Sequence, residues 1–108
     1  MKKSLTTLAV CAGISINAHA DFADKLSRLV GYSVVLAGTI TGFQDSNKKR
    51  NDSFEGCEYG RRIFIDDRYQ VTCATYSYSY SYRPSVVILS QGSSFKMVVG
   101  DEIYDITK

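Results

Sequence analysis

Phe95-Lys96-Met97-Val98-Val99-Gly100-Asp101-Glu102-Ile103-Tyr104-Asp105-Ile106 is the stretch whose reading decides the fold. Two runs of apolar, β-branched and aromatic residues flank Gly100-Asp101, and a glycine in the first turn position suits a two-residue type II′ hairpin. With that turn, Val98 meets Ile103, Met97 meets Tyr104, and Lys96 faces Asp105 as an ion pair. Propensity, turn chemistry and cross-strand pairing agree, so the C-terminal part of the chain is antiparallel β.

The same pattern extends upstream. Val86-Val87-Ile88-Leu89 is apolar on both faces and predicts a central strand, followed by a turn around Gly92. Arg61 to Thr75 predicts a second hairpin around Asp66-Asp67-Arg68. A three-residue turn there pairs Ile65 with Tyr69 and Ile63 with Val71, and sets Cys73 on the same inward face opposite Arg61. Val34-Val35-Leu36-Ala37 is again apolar on both faces, with Gly38 marking a bulge before Thr39-Ile40-Thr41. Between these strands, Gln44 to Gly56 is a long polar loop carrying Lys48-Lys49-Arg50.

Helical spacing occurs only near the start. Phe22, Leu26, Leu29 and Val30 share one face of a short helix over 21–32, with Gly31 as its C-cap. Its polar face is not basic enough for a membrane surface, so the helix is expected to dock on its own domain. The fold class that follows is mostly β, a small antiparallel SH3-like or OB-like barrel of five to six strands with one short N-terminal helix.

The first twenty residues read as an export signal rather than as part of this fold. Lys2 and Lys3 form a positive n-region, Leu5 to Ile16 a mostly apolar h-region, and Ala18-His19-Ala20 a small-x-small cleavage site ahead of Asp21. The product, residues 21–108, is one domain placed in a bacterial periplasm or secreted. A lesser alternative lipidates Cys11, although Val10 is bulky where a lipobox takes a small residue. No later segment approaches a membrane span.

Processing changes the chemistry available. Removing Lys2 and Lys3 from the 13 basic residues leaves 11 against 11 acidic ones. A neutral domain argues against nucleic-acid binding, which depends on neutralising phosphates. The single histidine, His19, leaves with the signal, and the chain has no tryptophan. A His general base and His-based zinc sites are thereby excluded, and no cofactor or metal is implied.

Cys57 and Cys73 remain, and in an oxidising compartment they can pair in one way. A redox-active role lacks the Cys-x-x-Cys spacing. The structural reading has the bond pin the end of the polar loop onto the 61–75 hairpin, with the chain bending back at Gly60. A closed loop of this size contributes about 3 kcal/mol in the chain-entropy account.

Tyr76-Ser77-Tyr78-Ser79-Tyr80-Ser81-Tyr82-Arg83-Pro84 is the least ordinary segment. In an extended chain its four tyrosines share one face and the hydroxyl residues the other. Either the rings cover the core, or they form a surface for a protein, peptide or glycan partner, a use for which Tyr and Ser are well suited. Four buried phenols would need four hydrogen-bond partners, so two rings inward and two outward are expected. Arg83 would edge such a surface. Lys48, Lys49 and Arg50 read first as a solvated loop tip and second as a contact for an acidic partner.

Through Gly56-Cys57-Glu58-Tyr59-Gly60-Arg61, Cys73, Tyr76-x-Tyr78-x-Tyr80-x-Tyr82-x-Pro84 and Val86 to Leu89, the chain resembles small exported bacterial proteins of uncharacterised function. The resemblance covers most of residues 33–106. It implies export and brings no activity with it. Signatures of a lysozyme inhibitor or an SH3b cell-wall domain are not matched.

The functional expectation is a non-enzymatic binding protein of the inhibitor, immunity or envelope-accessory type, acting through the tyrosine segment. One alternative is a structural envelope component without a discrete ligand. Another is a hydrolase using Asp66, Asp67 or Glu58 as acid and base, although paired aspartates in a tight turn are usually turn formers. The sequence sets no oligomeric state.

Overall fold

The structure, a computed structural model, describes residues 22–108. The cleavage position between Ala20 and Asp21, and Cys11, lie outside the described residues. Residues up to Val30 and residues Gly31–Lys108 form separate compact units.

In the first unit the helix covers residues 22–27, shorter than the 21–32 that periodicity predicts. Its end tightens through two i→i−3 bonds, Arg28 N–H to the Lys25 carbonyl (3.2 Å) and Leu29 N–H to the Leu26 carbonyl (2.8 Å). Ser27 Oγ donates back to the Asp24 carbonyl at 2.6 Å, a local competitor to helix continuation.

The second unit contains six strands: β1 (Ser33–Gln44), β2 (Arg62–Ile65), β3 (Tyr69–Cys73), β4 (Ser85–Gln91), β5 (Ser94–Val99) and β6 (Glu102–Thr107). They close into a barrel in the order β1-β2-β3-β6-β5-β4. Two three-stranded meanders are joined along β1–β4 and β3–β6. Because the strand number is even, every seam is antiparallel.

Both expected hairpins are present in the expected register. Val98 pairs with Ile103, Met97 with Tyr104 and Lys96 with Asp105, and Lys96 and Asp105 form an ion pair. Gly100 has φ 61°, and Asp101 does not share the left-handed conformation, as a type II′ turn requires. In the β2–β3 hairpin Ile65 pairs with Tyr69 and Ile63 with Val71. Cys73 N–H bonds the Arg61 carbonyl at 2.8 Å. Asp66 and Asp67 both adopt left-handed φ (54° and 53°), which aspartate tolerates better than most residues.

β1 differs from its sequence reading. It is one continuous strand whose first half pairs with β4 and whose second half pairs with β2. Its irregularities fall between Val34 and Leu36 and between Ile40 and Gly42, not at Gly38. Gly38 instead makes room for a neighbour. A Cβ there would stand 2.4 Å from Asp66 Oδ2, while Asp66 Oδ1 accepts the Thr39 N–H at 3.0 Å.

Inside the barrel, Ile40, Ile63, Ile65, Met97 and Tyr104 are fully buried. Tyr104 meets Phe54 edge to face, with ring centroids 5.7 Å apart. Its hydroxyl is buried and finds no partner in good hydrogen-bond geometry, the Ser79 side chain reaching it only weakly. Burial pushes the phenol above the ordinary tyrosine value. Ser79 opposes that shift, and the Glu102 and Asp101 charges add to it.

An unpaired buried hydroxyl is worth less than the phenyl ring that carries it. Tyr104→Phe should therefore leave the urea-unfolding free energy unchanged or raise it, by up to about 1 kcal/mol. A loss of more than about 1 kcal/mol would show that the hydroxyl is bonded in solution.

Candidate functional site

The ring order places β3 and β4 diametrically opposite one another. The connection between them, residues 74–84, must therefore pass from one side of the barrel to the other at the end where β3 finishes and β4 begins. The antiparallel registers put the 45–61 connection and the Gly100-Asp101 turn at that same end. There the two long connections pair with each other.

Four backbone bonds make that pairing. Cys57 N–H bonds the Ser77 carbonyl (2.8 Å) and Ser77 N–H the Cys57 carbonyl (3.0 Å). Phe54 N–H bonds the Ser81 carbonyl (2.9 Å) and Ser81 N–H the Phe54 carbonyl (2.8 Å). At the far side the Pro84 carbonyl accepts Ile40 N–H at 2.9 Å. Residues 74–84 form a strap held at both ends.

Alternation along the strap is complete. Tyr76, Tyr78, Tyr80 and Tyr82 are exposed at 66, 66, 61 and 66%, and Ser77, Ser79 and Ser81 between them are half-buried. The expectation of two rings inward and two outward is corrected: all four face out. The cause is the close approach beneath the strap. Phe54 and Cys57 are both buried although three residues apart, because Gly56 at φ 80° turns the chain between them. A Cβ on Gly56 would stand 2.1 Å from the Ser77 carbonyl oxygen and 2.9 Å from Tyr78 Cα. Small serines fit that approach, and four phenols do not.

Arg83 ends the row with φ 45° and its guanidinium 5.7 Å from the Tyr82 ring centroid.

What fixes the 54–57 segment is a buried arginine that sequence reasoning placed inward but gave no task. Arg61 is 5% exposed. Its Nε and Nη2 fork onto the Asp45 carboxylate (2.6 and 3.1 Å), Nη2 also reaches Glu58 Oε2 (2.6 Å), and Nη1 donates to the carbonyls of Glu55 and Gly56 (3.2 Å each). All five N–H donors are engaged, and the guanidinium lies 4.3 Å from the Phe43 ring centroid. Hydrogen bonds from Arg61 hold the Asp45 carboxyl below its ordinary value, against the smaller opposing effect of burial, with the Arg61 and Lys48 charges adding to the fall.

Beside this hub is the covalent link. Cys57 and Cys73 form a disulfide with Cα atoms 5.5 Å apart. The bend before β2 is a turn from Glu58 to Arg61 (3.0 Å) with Gly60 at φ 81°, and Gly60 N–H bonds the Cys73 carbonyl at 3.1 Å.

The basic run is divided by its contacts. Arg50 bonds Asp67 at 2.5 Å and lies 4.4 Å from the Phe64 ring centroid, so it braces the β2–β3 turn. Its hydrogen bond, followed by that of Thr41, lowers the Asp67 carboxyl. Lys48 and Lys49 are exposed.

A cavity of about 460 Å³ lies toward the other end of the barrel, lined by Val35, Leu36, Val71, Ile88, Phe95 and Ile106 among others. No Asp or Glu side chain lines it. Asp66, Asp67 and Glu58, the carboxylates of the hydrolase alternative, bond Thr39, Arg50 and Arg61 respectively. Among the described residues no group of three or more His, Cys, Asp or Glu side chains could hold a metal ion. No helix among them is long and apolar enough to cross a membrane. No protein-family model matches the chain, and no curated protein or solved structure matches it either.

Removing Arg61 would leave the Glu55 and Gly56 carbonyls and the Asp45 and Glu58 carboxylates without its donors. Arg61→Ala should lower stability by about 3 kcal/mol in urea unfolding followed by tyrosine fluorescence. Arg61→Lys should recover little, since an ammonium cannot reproduce the fork.

The hub also sets an acid limb. Asp45 has a lower value folded than unfolded, so its contribution is complete above the ordinary value of 3.8 and is lost as pH falls through the lower, folded-state value. Asp45→Asn should flatten the decline in stability measured below that pH. An unchanged acid limb would remove Asp45 from the account.

Proposed function

We propose that the protein is a small exported, disulfide-stabilised, non-enzymatic binding protein whose contact surface is the strap of Tyr76, Tyr78, Tyr80 and Tyr82 edged by Arg83. The observation that carries this reading is the exposure of all four rings on one face. Monomeric soluble proteins rarely leave a contiguous aromatic patch uncovered without a use for it. Tyrosine offers a large rigid ring with few rotamers to freeze and a hydroxyl that can bond a partner.

The strap is also pre-organised. Its ends are hydrogen-bonded, its underlying segment is tied to Arg61, and Cys57 is cross-linked to β3. A contact surface fixed in advance loses less conformational entropy on binding. Occlusion or docking, as by an inhibitor, an immunity factor or an envelope accessory, fits such a surface better than turnover does. The disulfide is compatible with export to a periplasm or beyond it.

The test is capture of a partner by the purified protein from envelope extract, compared with the Tyr78→Ala/Tyr80→Ala double variant. The variant should keep the wild-type unfolding midpoint, because both rings are exposed, and should lose the partner by at least tenfold. Undiminished capture of every partner by the variant would remove the strap from the function.

A further inference from the structure

The strap has a second property besides its aromatic face. The bonded pairs Cys57–Ser77 and Phe54–Ser81 use the backbone groups of the serines. In an extended chain the N–H and C=O groups of the intervening residues turn to the opposite edge. Among the described residues, the backbone groups of Tyr76, Tyr78 and Tyr80 make no hydrogen bond. This is an open β edge. The usual guards of such an edge, lysine and proline, are absent from Tyr76 to Tyr82 and enter only at Pro84.

We infer that this edge pairs with the same edge of a second copy of the chain, antiparallel, about a two-fold axis at Ser79. The inference rests on the reading of the strap as the contact surface, and it names the occupant.

The repeat is self-complementary in that register. Tyr78 lies opposite Tyr80 of the second copy, and Tyr76 opposite Tyr82, so every ring meets a ring and every free N–H a carbonyl. Charge agrees with it. Arg83 is the one charged residue from Thr75 to Arg83. The dyad would send the two Arg83 residues to opposite ends, roughly 27 Å apart, well beyond the screening length.

Area sets the strength. A buried tyrosine removes about 150–250 Å² from water. Four rings, each about two-thirds exposed, set a ceiling on the order of 800–1,300 Å² across both copies, since edge-to-edge pairing leaves the outward ring faces in water. That falls at or below the lower bound of stable specific interfaces, about 1,200 Å², and makes the pair a weak, reversible dimer.

Sedimentation velocity across the micromolar to millimolar range tests this. The wild-type protein should approach twice the monomer mass as concentration rises. Tyr78→Lys/Tyr80→Lys sets lysine opposite lysine across the dyad and should remain monomeric throughout. Tyr78→Glu/Tyr80→Lys sets glutamate opposite lysine twice in this register and should dimerise again at low salt.

A wild type that stays monomeric, a lysine variant that still doubles its mass, or a charge swap that does not restore the dimer would each overturn the inference. The Tyr78→Ala/Tyr80→Ala capture experiment separates the two claims. Loss of a partner by that variant, with a wild type that is monomeric, retains the binding surface and discards self-pairing. Capture undiminished together with a monomeric wild type discards both.

Discussion

One guanidinium organises the end of the barrel that carries the tyrosines. Arg61 is buried at the entrance to β2, and it donates to a carboxylate on the preceding loop, to a second carboxylate three residues before it, and to two backbone carbonyls of the segment beneath the strap. A buried cation is expensive unless every donor finds an acceptor. Here five donors find five, and an aromatic ring stacks on the cation. Polar loops of this length ordinarily float. This one is drawn inward, so that Phe54 and Cys57 enter the core and their backbone becomes a template for the strap.

Topology then makes the strap necessary. In a ring of six antiparallel strands built from two meanders, the third and fourth strands stand opposite each other. The chain must cross from one to the other over the barrel end. A crossing segment has a core on one side and solvent on the other, which is the setting in which strict alternation is useful. The serine side tolerates the approach of Gly56, and the tyrosine side is left to the solvent. The aromatic display thus depends on the connectivity of the barrel as well as on composition.

The hairpins were legible in the sequence because their information is local. A two-residue glycine turn and a three-residue Asp-Asp-Arg turn each dictate a register, and the register dictates which of Ile63, Ile65, Met97 and Tyr104 face inward. The disulfide was legible because two cysteines have one pairing, and Gly60 was identified as the bend that permits it. What sequence reasoning missed is non-local. The bulges of β1 sit where it changes partner from β4 to β2 and near its start, and Gly38 is glycine because Asp66 in the β2–β3 turn lies against it. Arg61 could be placed inward by alternation, but its partners, Asp45, Glu55, Gly56 and Glu58, come from a loop with no periodicity. The orientation of the tyrosines turned on Gly56, whose close contact with Ser77 brings together residues 21 apart in the chain. The clue lay in the glycine next to the cysteine, in a segment otherwise read as loop.

The strap also bears on why an exposed aromatic row would persist in a small domain. Isolated exposed tyrosines need no account, but four in register, on a segment with unpaired backbone and no guarding charge, combine two features that soluble proteins usually keep apart. Solvent tolerates either alone: an aromatic face on a paired strand, or a bare edge lined with lysine. The proposed self-pairing would satisfy both at once, with an extended segment bearing aromatic side chains at the same two-residue period. Guarding the edge would have required one ordinary substitution, a lysine between Tyr76 and Tyr82 whose charge resists pairing. In the 45–61 connection Lys48 and Lys49 are exposed, while Arg50 braces the β2–β3 turn and Arg61 the loop itself. From Tyr76 to Tyr82 the strap carries no charge, Arg83 stands at its end, and the braced 54–57 segment beneath it anchors the strap through the Phe54 and Cys57 bonds to Ser81 and Ser77.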